Sequence, residues 1–466
     1  MSNIKYITSN IFVFESEQLF RRDIRLNANF YEAFLKGNVL TSADTIQLGE
    51  IANISHPGIT RRIYIQNKEN GLPFLSTSDM MCYEAVDNKY VSIEFSKNLD
   101  DYIVNDRTIL ISRSGTIGNV ALVDKMMNGC AVTEHAIRIV LKDMSYLGLV
   151  YTYLISSIGQ GLIRGQKSGA VIDEIYDEDV EHIQIPIINE DLITALNNKI
   201  IKAKENREIA YDIIIKARTL VLTYNHLPPL EETELETLDP DKETDLRLVS
   251  SEEFTDDFRL DAHFYNPMAD LVVRNIRENA KAGKDLSDLT SRIFYLNRFK
   301  RTFVSDEFGI PYLAGKDIIK IRPNDVSYLS KSETDNLEDY KLEKEWILLT
   351  CSGTIGRTCY IWKNYENWVG THDLIRVVSN KTFDSGYLYA FLSSEYGYHQ
   401  ITRYKHGAVI DHITPEQIED ILIPVPEENQ IKEIGDLVRQ AYDLRAEAIR
   451  LEDEAQEILT NALTGK

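Results

Sequence analysis

ILISRSGTIGNVALV, residues Ile109–Val123, returns almost unchanged as ILLTCSGTIGRTCYI, residues Ile347–Ile361, at an offset of 238. An apolar run, a Ser-Gly-Thr-Ile-Gly turn and a second apolar run read locally as two strands joined by a tight reversal. One such stretch is weak evidence. Two at half the chain length point to an internal duplication, and the offset of 238 holds well beyond the turn. GLPFLSTSD at Gly71 matches GIPYLAGKD at Gly309, NLDDY at Asn98 matches NLEDY at Asn336, and Arg138 falls on Arg376. LISSIGQGLIRGQKSGAVID, ending at Asp173, matches FLSSEYGYHQITRYKHGAVID, ending at Asp411, and HIQIPI then matches DILIPV. No net insertion accumulates between Gly71 and Pro186, so both copies require one backbone. A shorter pair, RLNANFY (Arg25–Tyr31) and RLDAHFY (Arg259–Tyr265), lies at offset 234.

Within each copy, short β-branched runs such as TILIS, NVALV and AIRIVL read as strands, and Leu147–Ile163 has helical spacing. QIPI and LIPV read as closing strands, with proline at an edge or exit. After each closing strand the period changes. Ile193, Leu196, Ile200, Ala203, Arg207, Ala210, Ile214, Ala217 and Val221 recur by threes and fours. Ile431, Ile434, Val438, Ala441, Arg445, Ala448, Glu452, Ala455 and Leu459 repeat the same steps, with Gly435 the only glycine among them. This heptad-like seam predicts two long helices of ~45 Å each at ~1.5 Å per residue. Their shared register and small seam residues favour packing on each other over lying separately on the two modules. The packing positions expected are Ile193, Leu196, Ile200, Ala203, Ala210, Ile431, Ile434, Val438, Ala441 and Ala448.

The 466 residues suit two or three domains, and 43% hydrophobic with 27% charged residues is ordinary for a globular protein. Four scattered cysteines, Cys82, Cys130, Cys351 and Cys359, form no CxxC pair and point to a reducing, cytoplasmic setting. The N-terminal MSNIKYITSNIFVFESEQ is a poor signal peptide, and no run approaches a membrane span, so no membrane association is expected. The net charge of −22 is the wrong sign for a nucleic-acid binder, so its distribution matters. Leu227–Phe258 alone holds 12 acidic residues against Lys242 and Arg247. The two repeated bodies are closer to neutral, at −6 for Ile46–Pro186 and −3 for Asp288–Pro424, which leaves room for a one-sided basic surface.

No catalytic constellation can be assembled. There is no GxGxxG after a strand, no GxxxxGK[ST], and no Asn-Pro-Pro-aromatic tetrapeptide of the kind an adenine methyltransferase needs. His399, His406 and His412 are seven and six apart, the wrong steps for metal ligands on one helix, and no metal or cofactor is expected. Asp239-Pro-Asp241-Lys242 lies in the acidic stretch without the second acidic-x-Lys element a nuclease would need.

Binding has more to work with. TSRIFYLNRFKRTF (Thr290–Phe303) interleaves Arg292, Arg298, Lys300 and Arg301 with aromatic residues, and ITRRIYIQNK offers Arg61, Arg62 and Lys68. Such a pattern can bury one face and hold cations toward phosphates; an ordinary amphipathic edge strand is the alternative. Lys167 and Lys405 each precede GAVID by two residues, with Arg164 and Arg403 close by, and Ser114, Thr116, Ser352 and Thr354 of the SGTIG turns are candidate phosphate contacts. Between the shared segments the copies diverge, DMMCYEAVDNKYVSIEFSK against DIIKIRPNDVSYLSKSETD, as two readers of different base sequences must.

Taken together, LGEIANI (Leu48–Ile54), the two SGTIG turns, the two GAVID turns and IPVPEENQIKEI (Ile423–Ile434) resemble the specificity subunits of type I restriction-modification systems, over almost the entire chain. The resemblance implies an α+β chain of two duplicated mixed α/β target-recognition modules, joined by two long helices packed as an antiparallel coiled coil. Each module would read half of a split duplex DNA site. The helices would bind two adenine methyltransferase subunits, and a separate motor-nuclease subunit would complete a complex for defence against foreign DNA. The chain itself would not be an enzyme. On this reading residues 1–45 are an N-terminal segment, 46–190 the first target-recognition domain, and 191–226 the first spacer helix. Residues 227–283 form the acidic linker and lead-in, 284–427 the second target-recognition domain, and 428–466 the second spacer helix. The first module departs from the family at IPIINEDLITAL, which lacks the Pro-x-x-x-Gln step kept by Pro426 and Gln430. The competing reading from another class is an acidic interaction protein or DNA mimic that sequesters methyltransferase or nuclease subunits. Acid concentrated in one linker, rather than spread over a face, weighs against it.

Overall fold

The computed structural model describes residues 44–65, 68–84, 89–165, 174–230, 259, 261, 263–323, 326–334 and 337–464, with the backbone of two paired strands, Lys5–Thr8 and Ile11–Val13. Arg25–Tyr31, Lys167, the first GAVID turn and the acidic stretch 231–258 lie outside these residues. The chain divides into two units: Met1–Glu208 with Glu447–Lys466, and Ile209–Ala446. Each long helix is therefore shared between both units.

In the first unit, a larger sheet orders Ala52–Ser55, Ala136–Leu141, Ile109–Ser112 and Val120–Leu122, all antiparallel. A smaller sheet orders Ala131–Val132, Gly71–Leu75, Tyr90–Ser92 and Tyr64–Ile65, parallel only in its first pair. Thr45–Gln47 pairs with Gln184–Pro186, whose proline closes the strand as expected. The central strands Ile109–Ser112 and Ala136–Leu141 are buried at every position but Val140, and apolar but for Ser112 and Arg138, because both sheet faces are covered. Ile109, Ile111, Ile137 and Ile139 enter the core that includes the helices, while Leu110, Ala121 and Ala136 enter a second core with Met80 and Met127. Two solvent-free faces require a continuous hydrophobic run, whereas one would require alternation.

The second unit repeats this topology. Its larger sheet orders Thr290–Phe294, Leu374–Ser379, Ile347–Thr350 and Thr358–Tyr360; the smaller orders Val369–Gly370, Gly309–Leu313, Ser327–Ser330 and Phe303–Val304. Gly283–Asp285 pairs with Leu422–Pro424. Register is kept residue for residue: Ala131 faces Phe74 as Val369 faces Tyr312, and Ile109 faces Leu122 as Ile347 faces Tyr360. One exception matters. A bulge at Ser291 inserts a residue into the edge strand, so Arg138 faces Ser55 but Arg376 faces Phe294, and the offset becomes 239. The 3-10 turns Lys68–Asn70 and Asp306–Phe308 restore 238.

The helical stretch expected over Leu147–Ile163 is two helices, Leu147–Ile155 and Ser157–Gly165. Ser156 breaks it: its hydroxyl donates to the Tyr153 carbonyl (2.6 Å) and accepts from the Gly159 amide (3.2 Å). Ser394 does the same between Ser385–Leu392 and Glu395–Thr402.

The long helices span Glu190–Tyr224 and Glu428–Thr464. Within the first unit, Leu196 and Ile200 share a core with Ala455, Leu459 and Leu463, and Ala203 packs with Ala448 and Leu451. Rising numbers on one helix meet falling numbers on the other, so the pair is antiparallel. Within the second unit, Ala210, Ile214, Ala217 and Val221 share a core with Ile431, Ile434, Val438 and Ala441. Ile193 is partly buried at the end of the seam. Gly435, the odd glycine of the seam, is required by contact: a Cβ there would stand 2.0 Å from Asp384 Oδ1, and Gly386 lies against its backbone. Asp384 also caps Ser385–Leu392 through the Gly386 amide (2.8 Å) and pairs with Arg439 (2.8 Å). No single helix among the described residues is long and apolar enough to cross a membrane. All four cysteines are buried, Cys82 and Cys130 in the first unit and Cys351 and Cys359 in the second.

The equivalent seam arginines are both buried but solvated differently by the protein. Arg207 pairs with Glu452 at 2.7 Å, and Tyr151 donates to the same carboxylate (3.2 Å). Burial disfavours the Arg207 charge, but Glu452 outweighs it and raises the guanidinium above its ordinary value. Arg445 instead stands 4.8 Å over the Tyr442 ring, while the repeat-equivalent of Glu452 is Ile214. Lys204 occupies the place of that tyrosine on the first helix, so Arg207 has no ring to replace Glu452. Glu452→Ile should therefore strand a buried charge and cost about 3–5 kcal/mol, and Arg207→Met with Glu452→Ile should recover most of it. Urea unfolding of the three chains measures both.

Candidate nucleic-acid interface

Each SGTIG turn is closed from inside by the hydroxyl that ends the preceding strand. Ser112 Oγ donates to the Thr116 carbonyl (2.5 Å) and accepts from the Asn119 amide (2.9 Å). Thr350 does the same with Thr354 (2.6 Å) and Arg357 (3.1 Å). Gly115 and Gly353 have φ of +73° and +74° with open space about them, so it is backbone conformation that selects glycine there. The closed turn pushes Thr116 and Thr354 to the exposed tip and leaves Ser114 and Ser352 half-buried.

Two further segments meet each turn. Ser114 shares a hydrogen bond with His135 Nδ1 (2.8 Å), and its backbone bridges to Glu174. Ser352 bridges to His412, and the Gly353 amide donates to the Asp411 carbonyl (3.0 Å), which seats the second GAVID turn on the second SGTIG turn. At that turn Val409 is 95% exposed, an apolar tip braced on a polar base. Lys405 reaches Asp411 at 3.9 Å.

Through His135 the turn is continuous with the basic segment that leads into the strand Tyr64–Ile65. The neighbouring Glu134 is buried and takes a two-pronged pair from Arg62, at 2.5 and 2.9 Å. Burial raises the Glu134 carboxyl, but backbone hydrogen bonding and Arg62 outweigh it, and the group is held below its ordinary range. The Arg62 guanidinium also lies 5.0 Å from the Phe74 ring centroid. Arg61 is exposed beside it, and Tyr64 is half exposed with its edge toward Phe74. With the bulge at Ser291 counted, Arg61-Arg62 is equivalent to Lys300-Arg301, and Tyr64 to Phe303. Lys300, Arg301 and Phe303 are exposed, and Arg301 donates to the Tyr312 hydroxyl (3.0 Å). A single fixed offset conceals this duplicated basic-aromatic segment; allowing one gap in aligning RRIYI with KRTFV reveals it.

The remaining candidates fall elsewhere. Lys68 is exposed in its 3-10 turn, and Arg298 is exposed before Lys300. Arg292 lies on the edge of the larger sheet, 4.1 Å over the Phe294 ring. Arg164 ends its helix half-buried, its Cγ against Gly118. Arg403 faces inward, 4.5 Å over the Phe264 ring and paired with Asp270 (3.2 Å). Phe264 belongs to the RLDAHFY segment, whose Arg259 donates to the carbonyls of Tyr404 (3.1 Å) and Lys405 (2.8 Å). That motif thus holds the chain just before the second GAVID turn. Among the described residues no cluster of His, Cys, Asp or Glu is arranged to hold a metal ion.

The sequence matches the family model of the type I restriction modification DNA specificity domain twice, over residues 42–216 and 299–454. No curated protein matches the chain significantly. Among solved structures, the chain is similar to the S subunit of a type I restriction-modification system from M. genitalium, at 14% identity over 91% of this chain and 96% of that one, with a TM-score of 0.35. The HsdS subunit from Thermoanaerobacter tengcongensis matches at 14% identity over 91% and 96%, with a TM-score of 0.27.

The turn chemistry is directly testable because the two copies use different hydroxyls. Thr350→Ser keeps both hydrogen bonds and should cost under about 1 kcal/mol, whereas Thr350→Ala leaves the Thr354 carbonyl and Arg357 amide without that partner and should cost about 1–3 kcal/mol. Denaturant unfolding distinguishes them.

Proposed function

We propose that this chain, which belongs to the type I restriction modification DNA specificity family, is the non-catalytic subunit through which a methylation-based defence complex chooses its DNA site. Each unit reads one half of a bipartite, asymmetric duplex sequence, and the chain positions adenine methyltransferase subunits over the two halves, with a motor-nuclease subunit as a further partner. The observation that carries this reading is the combination of one scaffold with two surfaces. Strand register is equal in both units apart from the bulge at Ser291, while the residues at the end of that scaffold differ: buried Glu134 and exposed His135 stand where the other unit has His372 and half-exposed Asp373. Base edges are read by side chains and must be met by different residues at different half-sites; the backbone that presents them need not change.

The basic-aromatic segment supports the same reading. Exposed Arg61 and Lys300 beside exposed Tyr64 and Phe303 supply cations for phosphates and rings for sugar or base contacts, despite the overall charge of −22.

Methylome sequencing of cells carrying this gene with its methyltransferase should find adenine methylation at one bipartite motif, and its loss when the gene is deleted. Methylation without a split motif, or motif methylation that survives the deletion, would contradict the proposal.

A further inference from the structure

The two units treat the same arginine differently. In the first, Arg62 is neutralised within the chain by Glu134, whose side chain is 5% exposed. In the second, the equivalent positions hold Arg301 and His372, and Phe74 is replaced by Tyr312. Arg301 is exposed, donates to the Tyr312 hydroxyl, and is accompanied by exposed Arg298 and Lys300. His372 is nearly buried, with its Nε2 3.3 Å from Asp373 and its Nδ1 without a hydrogen-bond partner among the described residues. Two exposed cations, Arg301 and Arg298, and the His372 ring thus stand about the position that a carboxylate fills in the first unit.

We infer that this position in the second unit is a phosphate site: a backbone phosphate of bound duplex DNA takes the place, against Arg301 and His372, that the Glu134 carboxylate takes against Arg62. A guanidinium donates two parallel hydrogen bonds to a phosphate as it does to a carboxylate, since both anions present a pair of acceptor oxygens. The first unit carries its own anion and gains no phosphate there. The two half-sites are therefore gripped with unequal electrostatic strength. The proposal rests on the DNA-binding reading above.

The groups facing His372 are Asp373 beside it in its loop, Arg298 and Arg301 before the strand Phe303–Val304, and Arg376 on the following strand. Burial pushes the His372 pKa down, Asp373 opposes that shift, and the three arginines add to it. An arriving phosphate reverses the sign of the local field and favours the imidazolium. Binding then takes up a proton, and affinity rises as pH falls toward the titration of His372.

The test exchanges the residue that differs. In the full chain assembled with its methyltransferase, His372→Glu should flatten the slope of log K against log salt by ~0.9, and Glu134→His should steepen it by ~0.9, one phosphate lost and one gained. Circular dichroism checks that both variants fold. Duplex binding with slopes unchanged in both overturns the site while leaving the specificity reading intact. Should the complex bind no duplex, the specificity reading fails and inorganic phosphate decides the site alone. An upward shift of the His372 pKa with added phosphate, followed by NMR and abolished in Arg301→Ala, supports it, and no shift overturns it.

Discussion

A guanidinium buried without a carboxylate among its hydrogen-bond partners holds each unit together. Arg138 donates to the carbonyls of Val132 (2.7 Å), Tyr102 (3.0 Å) and Ala136 (3.2 Å). Arg376, fully buried, donates to Leu374 (2.9 Å), Gly370 (3.0 Å) and Thr371 (3.2 Å). Val132 and Gly370 lie on the smaller sheets, whereas the arginines lie on the larger ones, so each guanidinium ties two sheets that share no strand. Burial lowers both pKa values to about 10, still far above neutrality, so the charge persists inside the fold. Removing it would leave several buried carbonyls without donors, each a cost of about 1–3 kcal/mol.

The clamp also explains how one scaffold carries two surfaces. The carbonyls it holds flank the short loop 133–135 and its counterpart 371–373, and those loops present Glu134 and His135, or His372 and Asp373. Because the loop backbone is pinned at both ends by a buried arginine, its most exposed residues, His135 and Asp373, can differ without disturbing the sheets. The SGTIG turns work the same way, closed internally by Ser112 or Thr350 and indifferent to what their tips touch.

Much of this was legible in the sequence, for identifiable reasons. Duplication at constant offset shows in residues whose identity is set by backbone or core, such as Gly115, Gly353, Arg138 and Arg376. The helix seam shows because burial on a helix leaves a periodic trace, and Leu196, Ile200, Ile434 and Val438 are fully buried. The basic segment was half legible. Its residues stand out by composition, but the bulge at Ser291 shifts one copy by a residue and hides the equivalence of Arg62 with Arg301. Arg403 reads as a surface cation until the fold brings Phe264 and Asp270 against it, across more than 130 residues of chain. Gly435 is intelligible only from Asp384 and Gly386, which no local pattern connects to it. Contacts set by tertiary packing leave no period to find.

The buried cysteines give each unit an internal clock. Burial pushes the Cys130 thiol up to about 11, and Cys351 and Cys359 up to about 12, leaving at neutral pH about one thiolate in ten thousand or fewer. An alkylating reagent therefore marks these sulfurs only at the moments when their own unit opens. With Cys82 and Cys130 timing one unit, and Cys351 and Cys359 timing the other, the breathing of two near-identical scaffolds can be followed separately in one unmodified chain.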